Sequence, residues 1–150
     1  MKYRSLQRGS TRMNLIVVLG IAGLAAILLL LTLTQQSPQE AANEFMEALA
    51  TKDVNRLAEM SYLESPKTPL KEQWDVAVNE RAKNFVFIWL FESSRQPSPE
   101  EAVVRLTILE FRGPDPKESE PYEIPLLKRD GQWKVDLASL TRKFFPALPR

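Results

Sequence analysis

The sequence predicts an α+β fold: one N-terminal transmembrane helix, then three helices packed on a four-stranded antiparallel sheet. Three observations carry this. An uncharged apolar run fills residues 15–34. From residue 37 to about residue 82, apolar residues recur at helical spacing. From residue 85 onward the period becomes two, and Asp130-Gly131 marks a tight hairpin turn. Helices set on one face of an antiparallel sheet make an α+β domain.

Leu15–Thr34 is 20 residues without a charge. At about 1.5 Å per residue, a helix of that length covers the roughly 30 Å hydrocarbon core. A cleaved signal peptide would have a shorter apolar region, about 7–15 residues, ending at small residues. This run ends in Leu33-Thr34-Gln35-Gln36, a poor cleavage site. Lys2, Arg4, Arg8 and Arg12 precede it with no acid, which predicts a cytoplasmic N-terminus. The expected organisation is a basic tail over 1–14, a transmembrane helix over 15–34 and an extracytoplasmic domain over 35–150. Gly20, Ala22, Gly23 and Ala26 gather small residues on the span and are candidate helix–helix contacts. The plainer reading is that Gly and Ala are common in spans. Gln35 and Gln36 reach only about 10–14 Å when extended, which would hold the domain against the headgroups.

Within the domain, Ser37-Pro38-Gln39-Glu40 is a helix start: Ser37 caps, Pro38 suits the first turn, and Glu40 completes a capping box. Ala41, Ala42, Phe45, Met46 and Leu49 form its apolar stripe. Asp53 caps a shorter second helix with Val54, Leu57 and Ala58. A Pro-containing loop around Pro66 and Pro69 precedes a third helix from Leu70 to about Ala82, with Trp74, Ala77 and Val78 on one side. Four strands are expected: Phe85 to Phe91, Ala102 to Phe111, one holding Tyr122, Ile124 and Leu126, and one holding Trp133, Val135 and Leu137. The Asp130-Gly131 turn sets Arg129 opposite Gln132, Lys128 opposite Trp133 and Leu126 opposite Val135. Pro125 cannot donate to a ladder and marks an edge or a bulge. Residues 112–121 read as a long, polar, proline-rich loop, and Leu140–Phe145 as a closing segment.

Two stretches resemble a known family. Residues 37–49 with Lys52-Asp53 resemble the opening helix of small bacterial nuclear-transport-factor-two-like domains, and Leu127 to Asp136 resembles their final hairpin. The resemblance brackets most of residues 37–138. It implies a cone, in which a curved sheet wraps helices around a pocket, and a membrane-anchored, mostly non-catalytic type. It also implies the bacterial inner (cytoplasmic) membrane, with the C-terminal domain periplasmic or extracellular. Catalytic members use pocket Asp, Tyr or His residues, and none is matched here.

Composition narrows the chemistry. The chain contains no Cys and no His, which removes thiolate nucleophiles, disulfides and the commonest base and metal ligand. Of 20 basic residues four lie in the tail, so 16 face 19 acidic ones, a balance that argues against nucleic acid. Asp115, Glu118 and Glu120 read as a solvated loop rather than a metal site. Glu40, Glu44 and Glu47 read as the wet face of the first helix. Asp75 and Glu80 lie near the expected pocket helix, and an exposed helix face is their ordinary reading. No cofactor and no catalytic residue is expected.

Phe85 to Phe91 is apolar on both faces, with Phe85, Phe87, Trp89 and Phe91 on one and Val86, Ile88 and Leu90 on the other. A single layer of helices covers one face, so the strand meets a partner subunit, a dimer mate or the membrane surface, or its outer face is covered by the chain's own loop or C-terminal tail. Phe85, Phe87, Trp89 and Phe91 are the candidate partner contacts; Trp74, Tyr122 and Trp133 are candidate pocket residues. Arg142, Lys143, Phe144 and Phe145 suit either a lipid interface or packing back on the sheet. The expected function is a non-catalytic accessory or scaffold subunit of a membrane complex, contacting other membrane subunits or a homodimer mate. The alternatives are a small-ligand or lipid-binding module and, weakest, an isomerase- or dehydratase-like enzyme.

Overall fold

The computed structural model describes residues 17, 18, 20–26, 36–111, 116–118, 121–145 and 147–150. The chain divides into two units, Met1–Gln35 and Gln36–Arg150.

In the first unit the described residues are helical, and Gly20, Ala22, Gly23 and Ala26 are exposed on that helix. Among the described residues no helix is long and apolar enough to cross a membrane. The expected transmembrane helix, and with it the inner-membrane localisation, is therefore not supported. The remainder of the run over 15–34, and the basic tail, lie outside the described residues.

The second unit opens with α1, Pro38–Thr51. Ser37 Oγ accepts from the Glu40 N–H at 3.2 Å, and the Ser37 N–H donates to Glu40 Oε2 at 2.8 Å. Two of the free amides at the helix start are thereby satisfied. Lys52, in the left-handed region at φ 58°, ends α1. Asp53 then caps α2, Val54–Met60, by accepting from the Arg56 N–H at 3.0 Å. Strand β1, Ser61–Tyr62, follows directly. Helix α3, Leu70–Asp75, continues as a π-helix over Val76–Arg81.

The strands are β2 (Phe87–Ser98), β3 (Glu101–Phe111), β4 (Pro116–Glu118), β5 (Tyr122–Arg129) and β6 (Gln132–Asp136). They run in the order β1-β6-β5-β3-β2, with β4 paired on β3. The sheet is mixed, because β1 runs parallel to β6. This corrects the four-stranded antiparallel sheet read from sequence. Strands β1 and β4 are two and three residues long, too short for any alternation to announce them. The β5–β6 hairpin has the register that its turn dictates, from Arg129↔Gln132 to Leu126↔Val135. Asp130 and Gly131 both hold positive φ, 52° and 78°, as a two-residue turn of this kind requires. Pro125 sits in an internal strand, opposite Val103 of β3 and one residue past the end of the β5–β6 ladder. Its missing N–H costs nothing on the β6 side.

The core lies between the helices and one face of the sheet. Ala41, Ala42, Phe45, Met46, Ala48 and Leu49 of α1 meet Val104, Leu106, Ile124, Leu126 and Val135. Leu140, Phe144 and Phe145 of the closing segment, and Leu148 beyond it, join the same core.

Candidate functional site

Aromatic side chains fill the space between α1, α3 and the sheet. Phe45 meets the Trp74 ring edge-on at 5.9 Å and stacks on Phe144 at 6.5 Å. Phe145 packs against Trp74 at 6.5 Å and against Phe85 at 5.2 Å. Phe144 meets Tyr122 edge-on at 5.7 Å. The closing segment thus packs back on the core with both of its Phe residues buried.

The three candidate pocket residues do not converge on one cavity. Trp74 is fully buried, and its Nε1 donates to Ser61 Oγ at 3.0 Å. Tyr122 is half-buried and donates from its hydroxyl to the Lys143 carbonyl at 3.1 Å. Trp133 borders a separate cleft of about 240 Å³ with Glu44, Arg56 and Glu59, and the Lys128 ammonium sits 5.6 Å from its ring centre. Arg56 pairs with Glu44 there at 3.1 Å. A further cleft of about 430 Å³ lies between α3 and the final residues, lined by Glu72, Gln73, Arg81, Leu148 and Arg150. Across it the Arg150 N–H donates to Gln73 Oε1 at 2.6 Å, and Gln73 Nε2 donates to the Thr68 carbonyl at 2.9 Å.

Among the described residues no group of three acidic side chains could hold a metal ion. Asp115 and Glu120 lie outside the described residues. Asp75 accepts from Asn79 Nδ2 at 2.7 Å on an exposed helix face, and Glu80 is exposed. The Glu40 carboxyl is held below its usual value by the Ser37 backbone N–H and then the Ser37 hydroxyl. That is capping, not catalysis.

Strand β2 splits the residues predicted to meet a partner. Phe87 is buried, packed on Phe85 at 5.3 Å and on Trp89 at 6.1 Å. Phe85 and Trp89 are half-buried, and Trp89 Nε1 donates to Asn43 Oδ1 of α1 at 2.9 Å. Phe91 is 44 % exposed. The opposite set is the freer one: Val86 is 59 %, Ile88 47 % and Leu90 53 % exposed. Sequence reading gave partner contact to the aromatic face. In the structure Phe87, and in part Phe85 and Trp89, take the covered face.

No protein-family model and no curated protein matches this sequence. Solved structures are similar in fold. One, from Thiobacillus denitrificans, is provisionally described as a calcium/calmodulin-dependent protein kinase type II association domain. It aligns at TM-score 0.50 and 9 % identity over 66 % of this chain and 89 % of that one. That likeness is one of fold. A protein from Shewanella oneidensis, described as nuclear-transport-factor-two-like and of unknown function, aligns at TM-score 0.49 and 11 % identity, covering 64 % and 88 %. Another, from Campylobacter jejuni and described as a nuclear-transport-factor-two-like transpeptidase, aligns at 0.47 and 17 %, covering 68 % and 99 %.

At such identities the likeness concerns the fold alone, and fold does not fix function. The apolar residues of this domain divide between a packed interior and an exposed set. The space between the helices and the sheet is occupied by Phe45, Trp74, Phe144 and Phe145, while Val86, Ile88, Leu90 and Phe91 are exposed.

Proposed function

We propose that residues 36–150 form a non-catalytic protein-binding module, an accessory or scaffold subunit that docks on a larger assembly. The observation that carries this reading is the exposed strip of Ile88 and Leu90 on β2 with Val86 just before it, joined at the strand edge by the part-exposed Phe91 of the other face. Contiguous exposed apolar surface costs solubility and is kept where something covers it. The side chains that fill the space between the helices and the sheet weigh against a small ligand held there, since such sites need an open apolar cavity.

The test is purification of the tagged full chain from its native cells in mild detergent, followed by native mass spectrometry. A protein recovered in fixed stoichiometry is the expected result. Recovery of the free chain alone, or of the chain carrying a small molecule, overturns the reading.

A further inference from the structure

Strand β2 ends the sheet, so among the described residues its backbone has a strand neighbour on one side only. A bare edge presents alternating N–H and C=O groups to any passing strand, and proteins blunt such edges with charges, prolines and bulges. Here only half of the edge is blunted. From Glu92 onward the strand carries a register shift between Phe91 and Ser93, the charges of Glu92 and Arg95, Pro97, and a second shift between Arg95 and Ser98. From Phe87 to Phe91 there is no charge and no proline, and the register to β3 is unbroken from Phe87↔Glu110 to Phe91↔Leu106.

The unblunted half is apolar on both sides. Ile88 and Leu90 stand outward, continuing from Val86. On the other side, Trp89 and Phe91 border a cleft of about 50 Å³ with Gln39, Ala42 and Asn43 of α1. The Trp89–Asn43 hydrogen bond fixes the ring that forms its wall.

We infer that the Phe87–Phe91 edge accepts an added β-strand: an extended, uncharged segment of a partner protein, apolar at alternate residues. This rests on the interaction reading above and names its mode. An antiparallel strand over five residues gains about four to six main-chain hydrogen bonds. Its side chains alternate, one set beside Ile88 and Leu90, the other towards the Trp89–Phe91 cleft. Area favours a strand over flat contact with a second copy of the domain. Four half-exposed side chains offer on the order of a few hundred Å², against about 800 Å² per partner in a stable interface. Main-chain bonds supply what the area lacks. Charge agrees with an uncharged occupant, because Glu92 and Arg95 at the end of the strip are already paired with Arg105 and Glu123.

The test is selection of displayed random peptides on the full chain in mild detergent, then affinity measurement on synthetic versions. Selected peptides should alternate apolar residues. Binding should fall roughly tenfold or more with Ile88→Lys, with Leu90→Lys, or when alternate peptide amides are N-methylated. Amide hydrogen exchange should slow within 87–91 on binding. No enriched peptide, or binding indifferent to N-methylation, overturns the inference. So does a concentration-dependent dimer that protects the same amides, since the occupant is then a second copy. A co-purified partner that ignores both Lys variants and leaves 87–91 exchange unchanged overturns strand addition while the interaction reading stands. A chain that purifies alone overturns both.

Discussion

Trp74 Nε1 donates to Ser61 Oγ at 3.0 Å in the buried core, and Ser61 Oγ donates onward to the Leu57 carbonyl at 2.6 Å. One hydroxyl thereby ties α3 to the end of α2 at the point where β1 begins. Ser61→Ala leaves the indole N–H without an acceptor, at a cost of about 1–3 kcal/mol. Trp74→Phe removes that donor, so the double variant should cost less than the sum of the two. A double-mutant cycle by urea denaturation checks this, and strict additivity would show that the bond carries no stability.

At the start of α1, Ser37→Ala should cost about 1 kcal/mol, the usual worth of an N-cap. The same box predicts a pH dependence. Glu40 is held below its ordinary 4.5 by the Ser37 backbone and hydroxyl. A carboxyl lowered in the folded state contributes fully above its unfolded value and loses that contribution as pH falls through the folded one. Glu40→Gln should therefore flatten the acid side of the stability curve below about pH 4.5. Urea midpoints measured from pH 3 to pH 6 decide it; parallel curves for the variant and the parent would refute it.

The elements that could be read from sequence were those with long periodic signals. The capping box and stripe of α1, the alternation of β3 and the Asp130-Gly131 register all depend on neighbours along the chain. The elements that could not be read depend on contacts across it. Strand β1 exists only because Ser61 and Tyr62 lie beside Val135 and Asp136 of β6. The Pro/Ser-rich stretch at Gln96-Pro97-Ser98 reads as a turn, yet β2 continues through it because β3 pairs back as far as Glu101. The strand carrying the candidate contacts was legible, but its free face was not. Both faces are apolar, so alternation alone cannot say which one α1 covers.

The closing segment offers a third prediction. Phe144 lies between Phe45 and Tyr122, and Phe145 between Trp74 and Phe85; both are buried. Phe144→Ala should cost about 3–5 kcal/mol, as for any large aromatic removed from a packed core. Thermal or urea unfolding of the full chain measures it. A cost below about 0.5 kcal/mol, typical of a surface position, would mean that the segment does not belong to the core.

The facing of β2 gives the sharpest contrast, because neighbouring residues should behave oppositely. Phe87 is 6 % exposed, and Phe87→Ala should cost about 3–5 kcal/mol. Ile88 and Leu90 point away from the helices, so Ile88→Lys and Leu90→Lys should each change stability by no more than about 0.5 kcal/mol. Their effect should fall on association instead, since a Lys there sets a charge against an uncharged strand. Urea unfolding of the three variants beside the parent checks the pattern. If Leu90→Lys costs as much as Phe87→Ala, the strip is part of a buried surface within the chain, and the β2 edge is not open to a partner.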